Sequence, residues 1–537
     1  MASTWEPALP ADIVTRDGGK YDAAVLARLL FRRQFILGPR VVEELPSWTR
    51  VRVADGLSLT AHPDLGIHQG AEGPASITLL GYILDPTRPL ADDAQIIDDM
   101  LRVLNARGRF EDLLAHTHDL AGRWILIVHD GQHVRIVNDA CGYRQVVYTD
   151  PTACGEVWCA SQPGLIAEVL RLQVDPEAME FIRLYEAGGA HGWPGEEYWW
   201  PGDTSAYRAI KHLVPNHYLD LTTGSAHRFW PDRPLGRLSL DEAVHKNADL
   251  LRGIVASAAS RFPLALAVTA GQDTRLLLAA CRDISRSLFC FTVANWSPTE
   301  ESADVTVPAK LLPRLGLRHH VIRRAARMDP EFEEIYMRNI TAARAAYGPI
   351  AQGLYDGYPH ERVCMTGTTM HILASRLDFR LQECIDGVVD ARVLVKKAKM
   401  VEHPFAVRAA ERWLAGAQGI HDLDVLELFH WENKEGCWQA MNQTEHGIAL
   451  EIFGPGNCRT FLANALAVHE RFRRRPAKRF HTELIRALWP EVLSEPINPH
   501  KRRRRPNALR SVVKDVLVWA NLYQQVPPGI RRLGRPG

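Results

Sequence analysis

LALAVTAGQDTRLLLAA, residues 264–280, carries an apolar strand straight into a short polar loop and then into a helix. Leu264 to Val268 form the strand, and Leu276 to Ala280 continue as a helical apolar face. The first N–H groups of such a helix lack intrahelical partners, and its dipole favours negative charge there. Small Ala270 and Gly271 let an anion approach the backbone closely, and Thr269 and Thr274 bring hydroxyls. With Gln272 they make a phosphate or pyrophosphate the natural ligand of the loop. Asp273 repels phosphate, so its expected role is to hold a magnesium ion that bridges to phosphate oxygens. A purely structural turn between a buried strand and helix also tolerates Gly and Thr. Arg275 reads equally as a surface helix residue or a phosphate contact, and Asp304 as a solvent-facing or capping residue.

Downstream the pattern repeats: SLFCFTV, a helix from about Ser302 to Leu315, HHVI, and later RVCMT. Alternating strands and helices predict a parallel, doubly wound α/β sheet. Upstream, Ser239 with Glu242 forms a capping box, and Val244, Ala248, Leu251 and Val255 make the apolar stripe of a helix ending before Pro263. Before that, HYLDLTTGSAHRFW predicts a hairpin turning at Thr223-Gly224, and the domain boundary falls near residues 231–240.

The N-terminal region has another character. From Thr78 to Ser161 it holds the strands TLLGYILD, RWILIVHDG, VRIVND, RQVVYT and EVWCAS, with a helical stretch from Ala94 to Leu120 between the first two. An α+β domain built on antiparallel sheets follows from this pattern. The boundaries are 1–235 for this domain with its connector hairpin, 236–500 for the α/β domain, and 501–537 for a basic tail carrying an amphipathic helix from Leu509 to Tyr523.

Composition agrees with a soluble globular protein of two domains: 537 residues, 46% hydrophobic, 24% charged, net charge +1. The start lacks a signal-peptide pattern and no apolar run reaches bilayer-spanning length, so the expectation is a cytoplasmic protein without a transmembrane segment. Nine scattered cysteines without a CxxC pair suggest neither a disulfide framework nor a zinc ribbon. His116/His118 and His319/His320 lack partners at ligand spacing. The basic runs 471–479 and 501–505 carry no regularly interleaved aromatics, so solvated charge is preferred to an RNA groove, and no nucleic-acid partner is expected.

TAGQDT resembles the SGGxDS pyrophosphate loop of the ATP-pyrophosphatase superfamily, in the form found in asparagine synthetases, β-lactam synthetases and lasso-peptide cyclases. FCFTVA and SADVTVPAKLLPRLGLRHHVI stand where those proteins place the second strand, its helix and the third strand. The resemblance implies Val293 against the adenine, and Gly367 and Thr368 in MTGTTM at the start of a loop covering the reacting site. GYILDP, AGRWILIVHDG, NDACGYRQVVYT, CASQPGLIAEV and AYRAIKHLVPNHYLDL resemble a class II glutamine amidotransferase domain with its connector. The implied fold is an Ntn-hydrolase-like α+β antiparallel sandwich, then an α/β doubly wound ATP-pyrophosphatase domain with a helical C-terminal part.

The family pattern is broken in four places, the mildest being Ala270 where the SGGxDS loop carries a glycine. A working glutaminase of that class exposes an N-terminal cysteine, whereas residue 2 is Ala2 and the first cysteine is Cys141. MTGTTMHI stands where relatives carry an acidic segment, with Thr368 and His371 at those positions. RFHTELIRALWP lacks the expected lysine, which leaves Lys478 and His481 as the nearest candidates. The implied activity is an AMP-forming amide ligase using ATP and magnesium, with catalytic Asp273, Lys478 and His481. It would join a small-molecule or peptide carboxylate to ammonia or a substrate amine, with a homodimer as the expected assembly, without its own glutaminase. The alternatives are an inactive nucleotide-binding scaffold and a natural-product peptide or lactam cyclase.

Overall fold

Two long strands, β5 (Ala75–Leu84) and β6 (Ala121–His129), are buried almost throughout and pair antiparallel over nine residues. Burial on both faces explains why each reads as a near-continuous apolar run instead of an alternating one. The computed structural model describes residues 20–188, 198–294, 301–374, 389–474 and 477–499.

The remaining strands of the first half are β1 (Phe35–Gly38), β2 (Thr49–Ala54), β3 (Leu57–Ala61), β4 (Ile67–Glu72), β7 (Val134–Asn138), β8 (Val147–Thr149), β9 (Cys159–Ala160), β10 (Ile210–His212), β11 (His217–Asp220) and β12 (Ser225–Arg228). They form two antiparallel six-stranded sheets, ordered β10-β8-β9-β1-β3-β2 and β12-β11-β7-β6-β5-β4. Phe35, Leu37 and Leu59 from one sheet share a core with Leu80, Ile125 and Ile127 from the other, so the sheets face each other. The helices Asp93–Arg107 and Phe110–His116 cover the outer face of the second sheet through Ile97, Met100, Leu101 and Leu113. The single helix expected from Ala94 to Leu120 is thus two, because Gly108 adopts a left-handed conformation (φ 64°) that ends the first. The expected hairpin is β11 and β12, with Gly224 at φ 65° in its turn.

The second half is built on five parallel strands: β13 (Leu264–Ala267), β14 (Phe289–Ala294), β15 (His319–Arg323), β16 (Val363–Met365) and β17 (Ile452–Phe453). Their order is β15-β14-β13-β16-β17. The chain leaves β13 toward β14 and β15, then returns to its other side for β16 and β17. Strand order therefore reverses between β13 and β16, the point at which open α/β sheets place a ligand crevice beyond the carboxyl ends of their strands. The Ser239–Glu242 capping box is present in both directions and starts the helix Leu240–Arg261. The helix Ala303–Arg314 also stands where its sequence places it.

The halves meet along a polar seam. Glu451, one residue before β17, takes Arg144 at 2.7 Å, Arg33 at 3.3 Å and Arg123 at 3.5 Å. Burial alone would raise its carboxyl pKa, but Arg144, Arg123 and Arg33 outweigh that and hold it below the usual range. Gly253 in the helix 240–261 lies so close to the antiparallel half that a Cβ there would stand 2.1 Å from the Pro86 carbonyl oxygen. Glu451→Gln leaves three nearly buried guanidiniums without their carboxylate, and should cost about 3 kcal/mol in denaturant unfolding. A loss below about 0.5 kcal/mol would show that the seam is held by packing alone.

Candidate functional site at the strand-order reversal

The loop Thr269–Gly271 leaves β13 at the reversal point and feeds the helix Gln272–Ala280. It is folded on itself. The Thr269 amide donates to Thr274 Oγ1 (3.0 Å), the Gly271 amide donates to Thr269 Oγ1 (3.1 Å), and the two hydroxyls stand 3.1 Å apart. The Ala270 amide donates to Asp304 Oδ1 at 3.1 Å, so this aspartate fastens the loop to the helix 303–314. Gly271 is the N-cap, and no side chain caps the helix behind it. That leaves the helix start without a side-chain cap at the point of strand-order reversal.

Gly367 follows β16 across the reversal point. A Cβ there would lie 3.1 Å from the Asp273 carbonyl carbon and 3.2 Å from the Thr274 nitrogen, so only glycine lets the two loops touch without displacement. Thr368 stands beside it, its Oγ1 at 3.1 Å from Thr366 Oγ1. Val293 is half-buried near the carboxyl end of β14, in register with Ile322. Residues 295–300, which continue from that end, lie outside the described residues.

Asp273 gathers the charged groups. Lys478 Nζ stands 3.2 Å and His481 Nε2 3.3 Å from its Oδ1, while His371 Nε2 is 3.5 Å from Oδ2. Asp273 and Lys478, 205 residues apart in sequence, are therefore brought together, with His481 beside them. The helix Arg479–Leu488 makes this possible by packing on the helix 272–280, with Gln272 Nε2 donating to Thr482 Oγ1 at 2.9 Å. Lys478 precedes that helix in a left-handed conformation (φ 37°) that turns the chain into it. Burial would raise the Asp273 pKa, yet the hydrogen bond and charge of His481, with His371 and Lys478, hold it well below the usual carboxylate range. Burial also holds His481 below its usual value. Its Nε2 faces two acceptors, Asp273 and the Met370 carbonyl at 3.3 Å, so that nitrogen carries a proton.

A second carboxylate continues the cluster. Glu435 is fully buried in the π-helix His430–Gln439. Its Oε1 lies 3.6 Å from His371 Nδ1 and 3.4 Å from His430 Nε2, and its Oε2 accepts from the Tyr143 hydroxyl at 3.0 Å. His371 thus spans Asp273 and Glu435, and Tyr143 links the cluster to the antiparallel half. Burial would raise the Glu435 pKa, but His371 and His430 outweigh it, so the group is ionised. Glu435, His430 and Tyr143 carry no sequence signal for this role, since a Glu in a polar run gives no sign of being buried in a π-helix, where Glu432 is buried as well.

Several sequence expectations need correction. Arg275 is neither a surface residue nor a phosphate contact: it is fully buried and donates to the Val492, Glu495 and Pro496 carbonyls. Among the described residues of the run 471–479 only Arg471 and Arg479 are solvated charge. Arg473 and Arg474 are buried, Arg473 pairs with Glu427 at 3.1 Å, and Lys478 belongs to the site. Among the described residues no group of three or more His, Cys, Asp or Glu is arranged to hold a metal, and no helix is long and apolar enough to cross a membrane. Seven of the eight described cysteines are buried, Cys154 partly, and burial raises every one of their thiol pKa values. None is poised as a thiolate. Ala2, residues 501–505 and the helix expected at Leu509–Tyr523 lie outside the described residues.

Two adjoining cavities, of about 590 and 330 Å³, lie elsewhere, along the connector and the helix Pro404–Gly416, sharing Asp203, Lys211 and Arg412. Each of those three is ion-paired: Arg412 with Asp203 at 2.9 Å and Lys211 with Asp150 at 2.7 Å.

No family model matches the chain, and no curated protein matches it. Among solved structures it is similar to glutamine phosphoribosylpyrophosphate amidotransferase from B. subtilis complexed with ADP and GMP, at 9% identity over 65% of this chain and 73% of that one, with a TM-score of 0.23. It is also similar to a structure described as the allosteric regulatory enzyme of purine biosynthesis, at 10% identity over 60% of this chain and 77% of that one, again with a TM-score of 0.23. At those values neither likeness bears on the chemistry of the cluster.

Replacing Glu435 with Gln should destabilise the protein by about 3 kcal/mol at pH 7 in denaturant titration. A carboxylate with a depressed pKa contributes stability that is present above its unfolded value, 4.5, and lost as pH falls below it. The gap between wild type and variant should therefore narrow on acidification below that pH. A gap that is constant or widens there would contradict the assignment of Glu435 as an ionised group.

Proposed function

We propose that the chain is an ATP-dependent, AMP-forming amide-bond ligase of the asparagine synthetase type. In this reading an Ntn-hydrolase-like half without glutaminase activity precedes an ATP-pyrophosphatase half. The observation that carries it is the meeting of Lys478 and Asp273 at the open start of a helix where strand order reverses. A cation beside an uncapped helix N-terminus suits a polyphosphate.

The residues present fit magnesium and a triphosphate in their donor chemistry. Asp273 with the Thr269 and Thr274 hydroxyls offers oxygen ligands, and magnesium is commonly held by one or two carboxylates together with substrate phosphates. When bound, the ion would neutralise phosphate charge. Lys478 would then exchange its bond to Asp273 for phosphate oxygens, and His481 would keep Asp273 oriented through Nε2–H. Gly271 keeps the start of the helix free of a side chain, and Gly367 lets its loop close against the backbone at Asp273 and Thr274. A substrate carboxylate attacks the α-phosphorus, pyrophosphate leaves, and an amine displaces AMP to form the amide. Positioning and charge neutralisation supply most of the catalysis such chemistry needs. The carboxylate and amine stay defined by class alone, and a peptide or lactam cyclase is the case in which both belong to one substrate.

One observation favours a non-catalytic nucleotide-binding protein instead. The Thr269, Ala270 and Gly271 amides are all bonded within the protein, and His371 stands in the loop where relatives carry acid. The two readings separate on pyrophosphate exchange. Carboxylate-dependent exchange of labelled pyrophosphate into ATP is expected from the ligase, and nucleotide binding without exchange over a broad panel of carboxylic acids supports the scaffold. In either case Lys478→Met should weaken magnesium-ATP binding about tenfold or more, as loss of a charged hydrogen bond implies. Absence of any affinity in the wild type would overturn both. Glutamate release from glutamine at enzymatic rates is not expected, and observing it would contradict the assignment of the N-terminal half.

A further inference from the structure

Arg275 lies on the first turn and a half of the loop's helix, two residues after Asp273, and is completely enclosed. Its Nη1 donates to the carbonyls of Glu495 (2.5 Å) and Val492 (3.3 Å), and its Nη2 to that of Pro496 (2.7 Å). Three carbonyls from one five-residue stretch thus close around one guanidinium, whose planar fork of donors matches such a cage in a way an ammonium does not. Arg314 pins the same stretch from the neighbouring helix, through Glu495 at 2.5 Å. Beyond it the Asn498 amide donates to the Ala270 carbonyl at 3.0 Å, inside the loop itself. Asn498 has φ 44°, a left-handed turn that brings its N–H to the loop, and its Oδ1 stands 3.9 Å from where a Cβ on Gly271 would be. The stretch therefore borders the space in front of the helix start.

We propose that Val492–Asn498 is a strap that completes the candidate phosphate site, with Arg275 as the positioning residue that holds it. The strap fixes the peptide at Ala270 from its carbonyl side while Asp304 fixes it from its amide side. A loop clamped at both ends of one residue presents its neighbours Gly271 and Gln272 in a single conformation, so less ordering entropy is lost when an anion binds. This inference rests on the proposed nucleotide site for its ligand, but the clamp itself is a property of the protein without ligand.

Full-length wild type, Arg275→Lys, Arg275→Met and Asn498→Pro would be compared by hydrogen–deuterium exchange of the peptide spanning Thr269–Asp273, and by titration with magnesium and ATPγS. Proline at 498 has no N–H and cannot adopt the observed φ, and the position is exposed, so that variant leaves the core untouched. Loop exchange should accelerate in Asn498→Pro and Arg275→Met, with Arg275→Lys between Arg275→Met and wild type. Affinity should fall in the same order, by about tenfold for Asn498→Pro. Unchanged loop exchange in folded Asn498→Pro would overturn the strap whatever the nucleotide data. Faster exchange with undiminished affinity would remove the strap from the site, and faster exchange in a protein whose wild type binds no ATPγS would instead remove the nucleotide reading.

Discussion

One carboxylate, Asp273, sets the conditions for the rest of the second half. It is held mostly out of water and stays ionised, and an ionised group in such a place requires compensating donors. Lys478, His481 and His371 supply them from two segments that sequence keeps apart. The left-handed turn at Lys478, the packing of the helix 479–488 against the helix 272–280, and the close approach of Gly367 all put those donors in reach. The same arrangement leaves a cation and an uncapped helix start facing one crevice, which is a property useful for binding and of no evident value for stability alone.

Charge compensation recurs through the molecule. Glu435 is enclosed by His371, His430 and Tyr143, Glu451 by three arginines, and Glu445 by the fully buried Arg344 at 2.6 Å. Buried pairs of this kind add little net stability compared with apolar packing, but breaking one leaves an isolated charge. They therefore fix which segments must meet. Two of these carboxylates sit where the antiparallel half touches the parallel half, so the seam between the halves and the candidate site share their polar groups through Tyr143, Glu435 and His371.

The parts legible in sequence are those governed by local physics. The strand–loop–helix at 264–280, the Ser239 capping box and the helix after Ser302 depend on neighbouring residues, and each stands as its residues dictate. The strands before Thr78 are weakly marked in sequence: β1 and β3 are buried runs of only four and five residues, and β2 and β4 are largely solvent-facing, with Arg, His, Gln and Glu among their residues. Arg275 and the 471–479 run were misread for another reason. A buried arginine has the same local pattern as an exposed one, and its partners, carbonyls of 492–496 and Glu427, come from elsewhere in the chain. Glu435 lies in a π-helical stretch, whose wider turn removes the helical spacing by which a facing residue is recognised. Periodicity reports which face is apolar; it carries no information on which distant charges must neutralise one another.

The most direct test is a structure of the full chain with magnesium and a non-hydrolysable ATP analogue at saturating concentration. The account predicts the phosphates at the start of the helix Gln272–Ala280, within hydrogen-bond reach of Lys478, with the metal on Asp273. Phosphates bound elsewhere, or an Asp273 that keeps its bond to Lys478 while the analogue is bound, would contradict it.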